Sequence, residues 1–269
     1  MMCGSYQNPK YMVFKICNFL ESSIRPVIWH LGLFILLLSN NLFSQQHSFY
    51  GIEGWASDTQ GGKDGNIIRV TNLNAIGPGS FYEALLSSEP RIIVFEVGGV
   101  IDMGSVKINI KNPYLTIAGQ TAPSPGITVI NSQLVINTHD VIIQHIKLRP
   151  GAANQKVGWE PDAISTNGAY NIIIDHCSST WAVDENCSAS GPRFDGSTPD
   201  DWRDHTSHNL TISNNIIAEG LSNATHTKGE HSKGSLIHDN VTKVAVLKNL
   251  YASNMERNPL FKGGARGVI

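Results

Sequence analysis

The sequence has little charge and few cysteines. Only 16% of its 269 residues are Asp, Glu, Lys or Arg, against about 25% in an ordinary soluble protein, and the formal net charge is -2. Because nucleic-acid-binding proteins carry an excess of basic residues, this balance argues against a nucleic acid as a partner. The four cysteines are too few for a disulfide-stapled miniprotein. Whether Cys177 and Cys187 form a disulfide or remain free thiols stays open.

The sequence also lacks an apolar run long enough to span a bilayer. Residues 27–38 (VIWHLGLFILLL) form a run of about a dozen residues, which falls short of the roughly twenty that a membrane-spanning helix needs. Lys15 and Arg25 precede this run, and a small polar stretch follows it. The pattern is typical of a secretory signal peptide. We therefore predict a leader in residues 1–44 with cleavage near Ser44, no permanent membrane span, and a secreted or periplasmic protein whose domain comprises residues 45–269.

After the leader, short β-rich runs alternate with Gly, Asn and Pro. Five of these runs align, each beginning with one polar step into a strand, and the aliphatic residues that mark the alignment are Leu115, Val141, Ile172, Leu210 and Val244. Their irregular repeat of about 26 to 38 residues is typical of stacked solenoid coils of three short strands. A β-sandwich has turn signals every eight to twelve residues without a longer period, so a parallel β-helix is favoured. Asn215 and Asn249 follow their strands and are expected to bridge neighbouring coils.

One helix is predicted at residues 80–86. Ser80 and Glu83 have the spacing of a capping box, and Phe81, Ala84 and Leu85 form an apolar stripe. The first coil of a solenoid has an open end, so we expect this helix to cover it.

Several segments, in this order, resemble the pectate lyase family. They are residues 54–62 (GWASDTQGG), 70–74 (VTNLN), 77–80 (GPGS), 91–99 (RIIVFEVGG), 115–123 (LTIAGQTAP), 162–164 (DAI), 174–176 (IDH) and 257–259 (RNP). The resemblance implies an all-β, right-handed parallel β-helix. It also implies an extracellular, calcium-dependent enzyme that cleaves polygalacturonate (pectin) by β-elimination and leaves unsaturated oligogalacturonides. A monomer is expected.

The resemblance also implies a set of site residues. Asp162 and Asp184 match family ligands of Ca²⁺, and Glu185 is an adjacent acid. Relatives often carry a further acid at the position of Thr180. Arg257 falls on the family's catalytic base and Lys233 on a substrate-binding lysine, while Lys262 replaces a substrate-binding arginine. That last replacement keeps the charge but loses the bidentate fork of a guanidinium.

Two other functions remain open. A polygalacturonase-type hydrolase on the same solenoid needs acids on neighbouring coils, and the only acid-rich loop in view, Asp200 to Asp204, has no strand context. A non-catalytic glycan-binding solenoid is the second alternative. The chain ends twelve residues after Arg257, where relatives usually add coils, so we expect a β-helix domain truncated at its C-terminus.

Three histidines and one Asp-His pair are predicted to have no catalytic role. His226, His231 and His238 share one loop region without a fixed ligand spacing, and we predict a polar substrate rim there in preference to a transition-metal site. Asp175 and His176 follow three isoleucines at a strand end and are predicted to be structural parts of a turn.

Overall fold

A computed structural model of the chain describes residues 53–269, so the predicted leader lies outside the described residues. Two helices, α1 (Phe81–Leu86) and α2 (Pro199–His205), and one 3₁₀ turn (Gly119–Thr121) accompany the strands of this part. In chain order the strands are β1 (Asn66–Val70), β2 (Arg91–Phe95), β3 (Gly99–Asp102), β4 (Ile108–Ile110), β5 (Leu115–Ala118), β6 (Ile127–Ile130), β7 (Leu134–Ile136), β8 (His139–Gln144), β9 (Ile146–Arg149), β10 (Ile164–Asn167), β11 (Tyr170–Asp175), β12 (Ser178–Thr180), β13 (Glu185–Ser190), β14 (His208–Ser213), β15 (Ile216–Ala218), β16 (Lys233–Ile237), β17 (Thr242–Leu247), β18 (Leu250–Ala252), β19 (Leu260–Phe261) and β20 (Gly267–Val268).

The strands form three parallel sheets that run the length of a solenoid. The first sheet has eight strands in the order β1-β2-β5-β8-β11-β14-β17-β20. The second has the order β19-β16-β13-β10-β7-β4, and the third β18-β15-β12-β9-β6-β3. Because each coil contributes one strand to each sheet and each strand pairs with its counterpart in the next coil, the predicted parallel β-helix is confirmed.

The register matches the sequence alignment residue by residue. Pairing joins Leu115 to Val141, Val141 to Ile172, Ile172 to Leu210 and Leu210 to Val244, and all five side chains are at most 1% exposed. The polar step before each has left-handed backbone, with φ between 53° and 56° at Tyr114, Asp140, Asn171, Asn209 and Lys243. Asn and Asp tolerate this conformation better than other residues, which explains why they recur at the bend where the chain enters this sheet.

Helix α1 begins as predicted. Ser80 caps it by accepting a hydrogen bond from the Glu83 amide, and Phe81, Ala84 and Leu85 are buried in the core. Arg91 is fully buried next to the helix and donates to the carbonyl oxygens of Glu89 and Pro113 through Nη1, and to those of Leu85 and Asn112 through Nη2. This guanidinium therefore joins the end of the helix to the first turns of the solenoid.

The predicted asparagine bridge is present. Asn215 donates from its side chain to Asn249 Oδ1 at 3.0 Å and to the Ile174 carbonyl, and its Oδ1 accepts from the Cys177 amide at 2.7 Å. Asn249 in turn donates to the Ile212 carbonyl. Each of the two side chains thus satisfies backbone groups of the preceding coil, at a turn that has no strand pairing of its own.

Three further findings concern the cysteines, the acid-rich segment and the membrane span. Cys177 and Cys187 are buried free thiols, and burial raises the pKa of each to about 12. The acid-rich segment was wrongly predicted to be a loop: it is helix α2, with a capping box between Thr198 and Asp201 and with Asp200 exposed and paired to Arg203. Within residues 53–269 no helix has the length and apolarity needed to cross a membrane.

Candidate functional site

The charged residues named from the sequence meet at the starts of neighbouring strands in the second sheet. Asp162 lies two residues before β10, Glu185 begins β13 and Lys233 begins β16. The register places Glu185 beside Lys233, and a further bridge places Lys233 beside Glu256. The solenoid therefore stacks residues that are far apart in sequence into one row.

Three carboxylates of this row approach one another closely. One oxygen each from Asp162, Asp184 and Glu185 lies within 4.8 Å of the other two. Asp162 Oδ1 accepts from the Glu185 amide at 3.0 Å, and Oδ2 accepts from the Ser188 hydroxyl at 2.6 Å. These two bonds fix the Asp162 carboxylate against β13.

The Asp162 carboxyl is poorly suited to ionise on its own. Burial, followed by the negative charge of Asp184, raises its pKa to about 7, although hydrogen bonds from Ser188 and Ser165 and the charge of Arg257 oppose the shift. Like charges held close together in a partly dry environment disfavour ionisation. A bound cation would relieve this repulsion.

Arg257 reaches the same cluster from the coil that ends in β19, two coils beyond Glu185. Its Nη1 forms an ion pair with Glu185 Oε1, and its side chain is 23% exposed. The backbone at Arg257 is left-handed, with φ of 61°. Gly234 faces it: a Cβ at Gly234 would lie 2.3 Å from the Arg257 carbonyl oxygen, and only glycine permits so close an approach.

The two lysines lie in different surroundings. Lys233 is only 7% exposed, and its Nζ lies 2.7 Å from Glu256 Oε2 within the row of charges. Lys262 is half exposed, and its Nζ lies 3.8 Å from Asp239, which also pairs with Arg193. Within residues 53–269, Lys262 forms no ion pair with the three clustered acids. The structure therefore brings Lys233, but not Lys262, to the carboxylates.

Two histidines that the sequence analysis left at a substrate rim contact the cluster directly. His231 Nε2 lies 2.7 Å from Asp184 Oδ1, and the His226 ring stacks on His231 with centroids 3.7 Å apart. Both residues are buried, His226 to 4% and His231 to 5% exposure. The polar substrate rim stays a prediction, and the only sequence signal for a pair was their spacing of five residues in one loop.

A cleft of about 570 Å³ opens beside these residues. Trp181, half exposed, forms one wall, and its Nε1 donates to Glu219 Oε2 at 3.1 Å. The cleft is lined by Gly151, Ala152, Ala153, Trp181, Leu221, Asn223, Ala224 and Thr225. Thr225 adjoins His226 in sequence, and none of the three clustered acids is among the lining residues.

The donor set of the cluster suits Ca²⁺. Calcium takes six to eight oxygen ligands from carboxylates, carbonyls and water, and three carboxylates supply part of such a shell. Burial and then the charge of Asp184 raise the pKa of Asp162, and a cation held there would favour the ionised carboxylate. Asp162, Asp184 and Glu185 would hold the ion, with Glu185 shared with Arg257.

Asp175 and His176 form a turn network outside this cluster. Asp175 is buried and accepts from Gln144, Ser213 and Asn214, and its Oδ2 lies 2.7 Å from His176 Nδ1. These bonds hold the Asp175 carboxylate among the side chains of adjacent coils, as expected for a structural turn.

The fold and the site define a class of protein: a parallel β-helix that stacks acids, a lysine and an arginine into one row on its surface. No family model matches the chain. The chain is 39% identical over 235 residues to a probable pectate lyase C of Aspergillus terreus, and the aligned region covers 87% of this chain and 49% of that protein. It is 38% identical over 233 residues to a probable pectate lyase C of Neosartorya fischeri, covering 85% and 49%.

Two plant proteins are more distant. Pectate lyase 5 of Ambrosia artemisiifolia is 30% identical over 151 residues, covering 49% of this chain and 37% of that protein. The crystal structure of Jun a 1, the major allergen from cedar pollen, aligns with a TM-score of 0.59 at 19% identity, covering 81% of this chain and 62% of that chain, and supports the fold. The resemblance to pectate lyases is confirmed: the chain is a relative of these proteins, and it spans about half the length of the curated relatives that it matches.

Proposed function

We propose that the protein is a secreted, calcium-dependent pectate lyase that cleaves polygalacturonate by β-elimination and leaves unsaturated oligogalacturonides. The observation that carries the proposal is the cluster of Asp162, Asp184 and Glu185 on a β-helix, with Glu185 paired to Arg257 from two coils farther along. The names of the relatives agree with this chemistry. The leader composition supports secretion.

The reaction needs two kinds of side chain. The proton at C5 of a galacturonate lies beside a carboxylate and is weakly acidic, and its removal leaves an enolate-like charge. Bound calcium would withdraw charge from the substrate carboxylate and so make this proton more acidic. Lys233 is the cation within the described site that is best placed to neutralise an incoming uronate, because it is already in the row and its present partner, Glu256, is mostly exposed.

Arg257 is assigned the role of base. To take the C5 proton, its guanidinium must leave the ion pair with Glu185 and be neutral at the moment of transfer, which is unusual for arginine. The C5–H electron pair then forms the C4–C5 double bond, the C4–O bond breaks, and the departing oxygen takes a proton. Lys262, paired with Asp239 at 3.8 Å, is assigned to a substrate carboxylate farther along the polymer.

The test is a rate measurement on polygalacturonate with calcium, and with a chelator in its place. Formation of the unsaturated product is followed by its ultraviolet absorbance. We expect turnover that calcium restores, and Asp162→Asn is expected to raise the calcium concentration for half-maximal rate because it removes a ligand charge. A chelator-insensitive rate would contradict the calcium role, and reducing ends formed without ultraviolet absorbance would indicate a hydrolase.

A further inference from the structure

The loop that follows β15 places two buried imidazoles on one carboxylate. The rings of His226 and His231 stack with their centroids 3.7 Å apart and their planes within 13°. Their Nε2 atoms lie 3.8 Å and 2.7 Å from Asp184 Oδ1. Two ring nitrogens and a carboxylate oxygen therefore lie within 4.8 Å of one another, and the parallel rings must tilt before both nitrogen lone pairs point at one ion.

His226 Nε2 is a buried polar atom without a partner. Within residues 53–269 it makes no hydrogen bond, and its side chain is 1% exposed. Its neighbours are Asp184 Oδ1 at 3.8 Å and Glu160 Oε2 at 3.7 Å, both beyond hydrogen-bond distance. A buried polar atom aimed between two carboxylates, and bonded to neither, indicates that something else completes the cluster.

The separations of the donor atoms are close to those around a small metal ion. In a tetrahedral site with bonds of about 2.0–2.1 Å, neighbouring donors lie about 3.3 Å apart. The two distances from Asp184 Oδ1, 2.7 Å and 3.8 Å, bracket that value, and all three donors lie within 4.8 Å of one another. Imidazole nitrogen favours ions such as Zn²⁺ over Ca²⁺, which prefers oxygen.

We propose that His226, His231 and Asp184 bind a divalent transition-metal ion of the Zn²⁺ type. Three protein ligands leave one position for water or another oxygen, and Glu160 Oε2 is the nearest carboxylate to His226 Nε2. The site goes beyond the proposed function, because it needs neither Asp162 nor Glu185 and takes an ion of different chemistry. It shares Asp184 with the candidate calcium cluster, so one carboxylate would serve both ions.

Binding requires the ring hydrogens to move. The Lys228 amide donates to His226 Nδ1 at 3.0 Å, so the hydrogen of the neutral ring is on Nε2. A metal on Nε2 needs the lone pair there, and the hydrogen then moves to Nδ1. Lys228 is an exposed residue, so its amide would then donate to water in place of His226 Nδ1. The turn at residues 226–228 therefore changes its hydrogen bonding when the metal binds.

The test is a calorimetric titration of the untagged, metal-stripped chain with Zn²⁺ in the presence of excess Ca²⁺. We expect one equivalent to bind. His226→Phe and His231→Phe each keep an aromatic ring in the stack and remove one metal ligand. Each is expected to weaken Zn²⁺ binding by at least about a hundredfold, because loss of a residue that only supports a ligand already weakens metal binding by up to about that factor. His238→Phe, at a histidine that bonds Arg193 and lies 3.7 Å from Asp239, is the matched control and should leave binding unchanged.

Two arms keep the outcome interpretable. Asp162→Asn should weaken calcium binding and leave Zn²⁺ binding intact, so failure of the calcium proposal does not remove this one. Should the phenylalanine variants fail to fold by their melting curves, Co²⁺ added to the parent chain decides, because a histidine-bound tetrahedral site gives visible absorption bands. Absence of saturable Zn²⁺ binding, equal affinity in folded His226→Phe and His231→Phe, or Co²⁺ without those bands would overturn the proposal.

Discussion

Asp162→Asn is expected to stabilise the metal-free protein at alkaline pH and to lower its affinity for calcium. The carboxyl group faces Asp184, Ser188, Ser165 and Arg257, and burial together with Asp184 raises its pKa from 3.8 to about 7. The native state therefore binds a proton at this group more tightly than the unfolded chain does. Between pH 4 and 7, stability falls as pH rises, because the folded protein must give up a proton that the unfolded chain has already lost.

The size of this effect follows from the shift. A difference of about three pKa units corresponds to about 4 kcal/mol at 1.36 kcal/mol per unit, which is an upper limit for the loss of stability by pH 8. Asparagine keeps the shape and the acceptor for the Glu185 amide, but it carries no charge and has no such titration. For a domain of this size, about 4 kcal/mol corresponds to roughly 10 °C in melting temperature.

The assay is thermal unfolding of both proteins in a chelator at pH 4 and pH 8. We expect the melting temperature of Asp162→Asn, relative to the parent, to rise by up to roughly 10 °C between the two pH values. Calcium at pH 8 should raise the melting temperature of the parent more than that of the variant, since a ligand stabilises the state that binds it. An equal difference at both pH values would refute the reasoning about this carboxyl group.

Three further changes test other parts of the structure. Arg257→Lys should keep the fold and lose nearly all turnover, because the role of base needs the position of the guanidinium as well as a basic group; a rate within about tenfold of the parent, about 1.4 kcal/mol in barrier, would contradict that role. Arg91→Met should lower the free energy of unfolding by at least about 2 kcal/mol in denaturant titration, since four carbonyl oxygens lose their donor; an unchanged midpoint would argue against it. Asn215→Ala should speed amide exchange at Cys177, whose N–H loses its acceptor, whereas exposed Asn109→Ala should not.

Much of the fold was predictable because each coil of the solenoid repeats the same sequence pattern. The polar step and the aliphatic residue after it recur in each coil, so aligning Leu115 with Val141 and Ile172 gave the true register. Asn215 and Asn249 were predictable for the same reason, since a side chain that bridges one coil to the next recurs at the same position in successive coils. Local chemistry also sufficed for α1, where Ser80 caps and Phe81 is buried.

Contacts between loops were less predictable, because their lengths differ from coil to coil. Asp184 meets His231 across 47 residues, and nothing in the sequence gives the path of the loop that carries the histidine. Glu185 pairs with Arg257 across an intervening coil, in which Gly234 lets the Arg257 backbone approach closely. Lys262 was named because it stands at the position of a substrate-binding arginine of the family, and its neighbour in the structure is Asp239. Helix α2 was missed because its capping box stands in an acidic, apolar-poor segment.

The most direct measurement is the mass of the products released from polygalacturonate in water enriched in heavy oxygen. Elimination divides the polymer without consuming water, so the products should carry no label and their masses should sum to that of the substrate. Arg257→Lys, as the control, should release almost none of these products. A pair of products that together gain one water, with the label at the new chain end, would show hydrolysis and contradict the assignment of this β-helix as a lyase.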